Sequence, residues 1–293
     1  MSIKDHAMLV SLTVGKAQMT KTDSKATDAA ERATNAHNAG QYRKDLYPKH
    51  LVQPIRAAES AARAYMESVC YQWGRGEYLL PTIRFMDFTN RMNEFKVMFE
   101  QAVTMFLQNW VNVLTEAERV QGDLFNENDY PDLTDLRRRF YFDVSYKPVT
   151  DNSDFRVSLQ SEELEVLRAT VEKQTKAQYD DVLKQPLERL REAVARLNET
   201  MGRDEREVLN PRTGKYEIKP PIFRDTVVDN LIHEINVLRD FAAVLPEDTL
   251  ELAETIAEVV PDAETLRASA SMRETTKGNS AALLAAIDLM LEG

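Results

Sequence analysis

Cysteine is almost absent: Cys70 stands alone in 293 residues. No intrachain disulfide can form, and a cysteine-based zinc site is excluded with it. Glycine is scarce too, at nine residues. A fold that cradles a phosphate or a dinucleotide on glycine-rich turns is therefore not expected, and no phosphate loop, dinucleotide fingerprint or nucleophile elbow occurs. The histidines, His6, His37, His50 and His233, are scattered without metal-ligand spacing, and His233-Glu234 has no second histidine on the same helix face. The apolar stretch near the start, Met8 to Val14, is broken by Ser11 and Thr13. It is too short and too polar for a signal peptide or a membrane span. These absences lead us to expect a soluble cytoplasmic protein that is not an enzyme and holds neither metal nor cofactor.

What is present is a globular composition, 43% hydrophobic and 29% charged. The net charge of −11 is unevenly spread. Residues 1–56 hold nine Lys/Arg against five Asp/Glu, and residues 57–293 hold 28 against 43. An acidic surface that keeps the protein dispersed explains most of this. The asymmetry also leaves a basic N-terminal segment suited to a polyanion.

Periodicity predicts a mainly α fold in which long antiparallel helices carry a small three-stranded antiparallel β-sheet. Residues 8–14 read as a strand ending at Gly15. Asp23 or Ser24 caps a weakly amphipathic helix that stops at Gly40. A second helix covers 53–71 and ends in the turn Trp73-Gly74-Arg75-Gly76. After Pro81, apolar residues at Phe85, Phe88, Met92, Phe95, Phe99, Ala102, Phe106, Trp110, Val113, Ala117 and Val120 alternate steps of three and four. That is a heptad seam on one helix of roughly 55 Å. It must pack on a partner within the chain or in another. A second long helix, from the N-cap Ser161 to Met201, carries Pro186, where a kink is expected. The two long helices are natural antiparallel partners. Between them, 140–146 and 155–159 read as a hairpin that joins the strand at 8–14. The expected domains are a main helical body over 1–201, a flexible basic loop over 202–222 and an acidic helical region over 223–293. Within the last, helices are expected near 223–244, 247–260, 262–270 and 280–292.

Paired carboxylates such as Asp180-Asp181 or Glu162-Glu163 lie on a long helix, where such groups are ordinarily a solvated face without an acid–base partner. Cys70 sits among aromatic residues as a small core filler. The clusters that carry chemistry mix cations with rings. Arg137, Arg138, Arg139 and Tyr141, with Tyr146, Lys147 and Arg156, surround the expected hairpin. Arg43 and Lys44 follow Tyr42. Arg203, Arg206, Arg212, Lys215, Tyr216 and Lys219 lie in the loop. A single-stranded nucleic acid calls for this mixture, because cations track the phosphates and rings stack on the bases. Alternate strand residues such as Phe140 and Phe142 are better explained as core.

Leu9-Val10-Ser11-Leu12, the Trp73-Gly74 turn before Leu79-Leu80-Pro81, Leu124-Phe125-Asn126-Glu127-Asn128-Asp129-Tyr130-Pro131 leading to Leu136-Arg137-Arg138-Arg139-Phe140, and Asp154-Phe155-Arg156-Val157 resemble a helical family of bacteriophages and mobile elements, long catalogued as a domain of unknown function. The resemblance covers residues 8–200. Within that circle the chain is similar to the Drc-type single-stranded-DNA-binding RNA polymerase cofactors. These are made by phages that carry their own single-subunit RNA polymerase. The likeness implies a helical fold unlike the oligonucleotide-binding barrel, cooperative coating of single-stranded DNA, recruitment of the phage RNA polymerase, and a place in the infected bacterial cell. It supplies no motif for DNA contacts, so the candidate residues above rest on the basic–aromatic reading alone. A homo-oligomer is expected. The competing expectations are a helical adaptor for a phage or mobile-element ATPase, based on the Phe/Met-rich seam and the acidic surface, and an acidic DNA mimic, against which the basic N-terminal segment argues.

Overall fold

A computed structural model describes residues 3–149, 161–202, 206–209, 216–219 and 225–292, with the side chains of 161–168, 206–209 and 217–219 left out of the description. The fold is mainly α with a small antiparallel sheet. Two compact units divide the chain. The first comprises Met1–Leu9, Val69–Arg84 and Lys147–Gly293, and the second comprises Val10–Ser68 and Phe85–Tyr146. The expected boundary at 201–223 is not where this division falls.

After a single helical turn, α1 (Ile3–His6), the main sheet takes up β1 (Ala7–Gly15), β4 (Tyr71–Gly74), β5 (Glu77–Pro81) and β6 (Tyr141–Pro148) in the order β4-β5-β1-β6. The sheet therefore has four strands where three were expected, and the expected strand at 155–159 lies outside the described residues. The two strands missed by the sequence reading, β4 and β5, meet at the turn Arg75-Gly76, so the stretch Trp73-Gly74-Arg75-Gly76 belongs to a hairpin rather than ending a helix. Tyr71 opposes Leu79, Gln72 opposes Tyr78, and the register shifts before Gly74. Gly76 takes the positive φ of 80° that this turn needs.

In the second unit, β2 (Thr20–Thr22) and β3 (Arg43–Asp45) form a separate antiparallel ribbon in which Lys21 opposes Lys44. Asp23 caps α2 (Ser24–Thr34) as its side chain accepts from the Ala26 amide at 3.0 Å. That helix buries nothing, as its weak stripe foretold, and it ends at the left-handed Asn35 rather than at Gly40. Helix α3 spans Lys49–Val69, earlier at both ends than expected.

The heptad seam is real, but the single rod is not. Helix α4 (Phe85–Gln108) gives way at Asn109 to α5 (Trp110–Gln121). The Asn109 side-chain amide donates to the Met105 carbonyl at 2.8 Å, competing with its own backbone N–H for that acceptor. Phe88, Met92, Phe95, Phe99, Val103 and Phe106 of α4 are buried, as are Trp110, Val113 and Ala117 of α5. Val103 replaces the expected Ala102, and Val120 is exposed. The cover comes from the same chain. Tyr65 of α3 stacks on Phe88 at 5.8 Å, Tyr47 meets Phe106 edge-on at 5.4 Å, and Phe142 of β6 lies 5.7 Å from Phe99. Each such buried ring contributes about 1.5–3 kcal/mol by leaving water.

In the first unit, α7 (Ser161–Met201) runs continuously past Pro186. It packs on α8 (Thr226–Asp240) and α11 (Ala270–Glu292) through Val182, Leu190, Val194 and Leu197 against Leu231, Ile235, Leu283 and Ile287. Within this unit the helices packed on α7 are thus α8 and α11. Gln185 of α7 seals the edge strand β4. Its side-chain amide donates to the Gln72 carbonyl at 2.6 Å and accepts from the Gln72 amide at 2.7 Å. A bare edge that would template another strand is covered in this way. The 202–222 region contains β7 (Arg206–Leu209) and β8 (Tyr216–Lys219), paired antiparallel. Helices α9 (Glu247–Val259) and α10 (Ala263–Ala268) follow, and α11 begins ten residues before the expected 280 and passes through Gly278. Among the described residues, no helix is long and apolar enough to cross a membrane.

Candidate nucleic-acid interface

The three consecutive arginines do not sit on a strand. They form the last turn of α6 (Leu133–Arg139), a helix started by Asp132, whose carboxylate accepts from the Thr134 and Asp135 amides at 2.8 and 3.0 Å. Those two bonds hold the Asp132 carboxyl below its ordinary pKa, the Asp135 amide contributing most. Leu136 is the buried anchor of the helix, and Arg137, Arg138 and Arg139 are exposed. A helix C-terminus favours cations, so the position stabilises their charge. Arg137 and Arg139 form no ion pair with a described residue, and Arg138 reaches Asp135 only at 4.0 Å. Arg139 also acts on Tyr47. Burial and the neighbouring Tyr130 push the Tyr47 phenol up to about 12, and Arg139 opposes the rise.

Helix α6 runs directly into β6, and strand alternation sorts the rings that follow. Phe140 packs edge-on against Phe106 at 5.9 Å. Phe142 is 4% exposed in the core, and Tyr141 between them is 52% exposed. The Tyr141 ring lies over Gly15, where a Cβ would come within 2.0–2.6 Å of ring atoms. Gly15 therefore serves as the bare floor for an exposed ring. Four residues from each, the Ser11 and Ser145 hydroxyls meet at 2.8 Å, the offset an antiparallel β1–β6 register requires. Arg137, Arg138 and Tyr141 line a cleft of about 840 Å³ between α6, the start of β6 and α4. Its apolar walls include Phe99, Val103, Leu107 and Leu133, and Glu100 is the acid among its lining residues. Cations on the rim, a ring at the mouth and an interior that mixes apolar side chains with Thr104, Gln108 and Thr134 are ingredients for holding phosphates outside and a base within. None of the α4 lining residues was singled out in the sequence, where they read only as seam or surface.

The other candidates fall elsewhere. Lys44 is the clear correction. It is 5% exposed, pairs with Asp129 at 2.7 Å and Asp23 at 3.1 Å, and donates to the Leu124 carbonyl. Burial alone would lower its pKa, but the two carboxylates outweigh that and raise it. It cannot reach a polyanion. What it does is clamp the Phe125–Pro131 segment, which Tyr130 also fastens through its hydroxyl to the Leu46 carbonyl at 2.9 Å. Arg43, on the same strand, is exposed and donates to the Thr20 hydroxyl at 2.9 Å. Tyr146 is half-buried. Its ring lies 5.3 Å from Phe85 and its hydroxyl 3.0 Å from that of Thr89, so it is a core-edge residue and not a stacking platform. Lys147 pairs with Glu77 at 2.8 Å. In the β7–β8 ribbon, Arg206 stands opposite Lys219, and Tyr216 is 70% exposed. Arg156, Arg203, Arg212 and Lys215 lie outside the described residues. Arg43, Lys44 and 137–146 belong to the second unit, and Lys147 with the ribbon belongs to the first.

The electrostatics of the two units differ. The second unit holds 15 Lys/Arg against 17 Asp/Glu, so nearly all the acidic excess is carried by the first, with 22 against 31. No His/Cys/Asp/Glu group among the described residues has a metal-binding arrangement. Set beside known proteins, the chain matches no protein-family profile, no curated protein and no solved structure.

Proposed function

We propose that this protein is a non-enzymatic binder of single-stranded DNA that engages the strand at the α6–β6 cleft. The observation that carries the reading is the rim itself. Arg137 and Arg138 line the cleft beside the half-exposed Tyr141, Arg139 is exposed on the same helical turn, and none of the three is held in a close ion pair with a described residue. A duplex hides its bases in the stack and offers a cleft of this kind only phosphates, whereas an unpaired strand offers both phosphates and a π-face. The resemblance to phage single-strand-binding cofactors agrees with this reading and supplies its biological setting: a phage protein in the infected bacterial cell that brings the phage RNA polymerase, or another transcription or replication protein, to DNA. The adaptor reading loses one of its two supports, because the Phe-rich seam is buried within the chain, and keeps only the acidic surface.

Fluorescence anisotropy with single- and double-stranded oligonucleotides of equal length, measured across a salt series, tests the proposal. Tighter binding of the single strand, weakening with salt, is the expected result. Equal affinity for both forms, or affinity indifferent to salt, would defeat it.

A further inference from the structure

A second seam runs along the outer side of α4. The buried seam steps through 88, 92, 95, 99, 103 and 106. Two residues earlier at each step, Met86, Asn90, Asn93, Val97, Gln101 and Thr104 line the opposite face, and Gln108 continues it. All seven are exposed and none carries a charge; Thr104 and Gln108, with the neighbouring Glu100, also line the α4 wall of the cleft, so a second copy on this strip and a strand in the cleft would compete at that end. Their spacing, four, three, four, four, three, four, reads the same from either end and centres on Val97. At 1.5 Å per residue the strip from Met86 to Gln108 is about 33 Å long.

We propose that this strip is a twofold interface with a second copy of the chain, the two α4 helices lying antiparallel with Val97 against Val97. Each copy carries a net charge of −11, so copies repel over most of their surface and can approach where charge is absent. The antiparallel register sets Asn93 against Gln101 and Asn90 against Thr104. These side chains both donate and accept hydrogen bonds, so either can satisfy the other. The shoulders complete the match. Lys96 and Glu100 are exposed on one shoulder and form no ion pair within the described chain. The twofold brings Glu100 of each copy beside Lys96 of the other. On the opposite shoulder Arg91 pairs with Glu94 inside its own helix, and Glu94 and Asp87 fall opposite Met98 and Met105 of the second copy, so no like charges meet. Antiparallel macrodipoles favour the same arrangement. A strip one helix wide is the size of a reversible interface, not a permanent one.

The test is the mass of the intact protein by sedimentation equilibrium over a range of concentrations. The wild type is expected to pass from monomer to dimer. K96E places glutamate against glutamate at two symmetric points and should weaken the dimer about tenfold. E100K should do the same with lysines, and the K96E/E100K double variant should restore the wild-type dissociation constant. V97E should remain monomeric, with circular dichroism confirming an unchanged helical signal. A wild type that stays monomeric at every concentration, leaving the strip to some other protein, would overturn the proposal. So would a dimer indifferent to these substitutions, or a double variant that is not rescued.

Discussion

Tyr141 and Phe142 are neighbours in sequence, yet the account gives them opposite jobs, and replacing each by alanine separates the two. Phe142 is 4% exposed and packs on Phe99. F142A should cost about 3–5 kcal/mol of stability, the usual loss for truncating a core ring. Tyr141 is 52% exposed over Gly15, so about half of its apolar area is still in water. Y141A should therefore cost only about 1 kcal/mol in folding, half of what full burial of such a side chain is worth. Its loss should appear in binding. A base stacked on the ring is worth about 1–3 kcal/mol, a factor of roughly 5–150 in the dissociation constant for single-stranded DNA. Y141F keeps the π-face and should bind as the wild type does. The measurements are thermal unfolding by circular dichroism and anisotropy titration with a labelled oligonucleotide on all three variants. The reasoning fails if Y141A binds within twofold of the wild type, or if Y141F loses as much affinity as Y141A.

Other perturbations probe the clamp and the cleft. Asp23 and Asp129 have pKa values held below the usual 3.8, Asp23 chiefly by the Ala26 amide and then Lys44, Asp129 by Lys21 and Lys44 against its own burial. Depressed carboxylates contribute stability above their ordinary pKa and lose it as the pH falls through the depressed folded value. Stability should therefore decline below about pH 4. K44M should lower the melting temperature at neutral pH and shrink that acid decline, read from melting temperatures between pH 3 and 7. An unchanged acid limb would show that Lys44 does not set it. Glu100 is the acid facing the cleft. E100Q should tighten DNA binding about two- to fivefold at low salt, an advantage that fades as screening rises. Weaker binding would mean that the strand does not pass this wall.

Much of the architecture was legible because its periodicity is local. The α4 seam, the Asp23 cap, the strand before Gly15 and the long helix from Ser161 all follow from spacing within one or two turns. What escaped depends on neighbours distant in sequence. Lys44 looked like a surface cation, and nothing near it announces that Asp23 and Asp129 will bury it. The hairpin of β4 and β5 is too short to show alternation, and Gln185, which seals its edge, lies more than a hundred residues away. The break at Asn109, whose side chain bonds back to the Met105 carbonyl, is not something a heptad count registers. The arginine triplet was visible at once, but its place at a helix C-terminus and the cleft behind it were not, because the α4 wall is 29 or more residues distant in the chain. Gly15 read as a strand terminator, and its service as a floor for Tyr141 needed the register of β1 against β6.

If the α6 arginines hold the phosphates of an unpaired strand, they set the salt dependence of its binding. Each phosphate neutralised on a single strand contributes about 0.7 to the slope of log affinity against log salt. The most direct measurement compares that slope for the wild type and for R137A/R138A/R139A. The triple variant should show a slope shallower by about 2 and binding roughly a hundredfold weaker at 0.1 M salt, with the helical signal unchanged. A triple variant with the wild-type slope would place the strand somewhere else on the molecule.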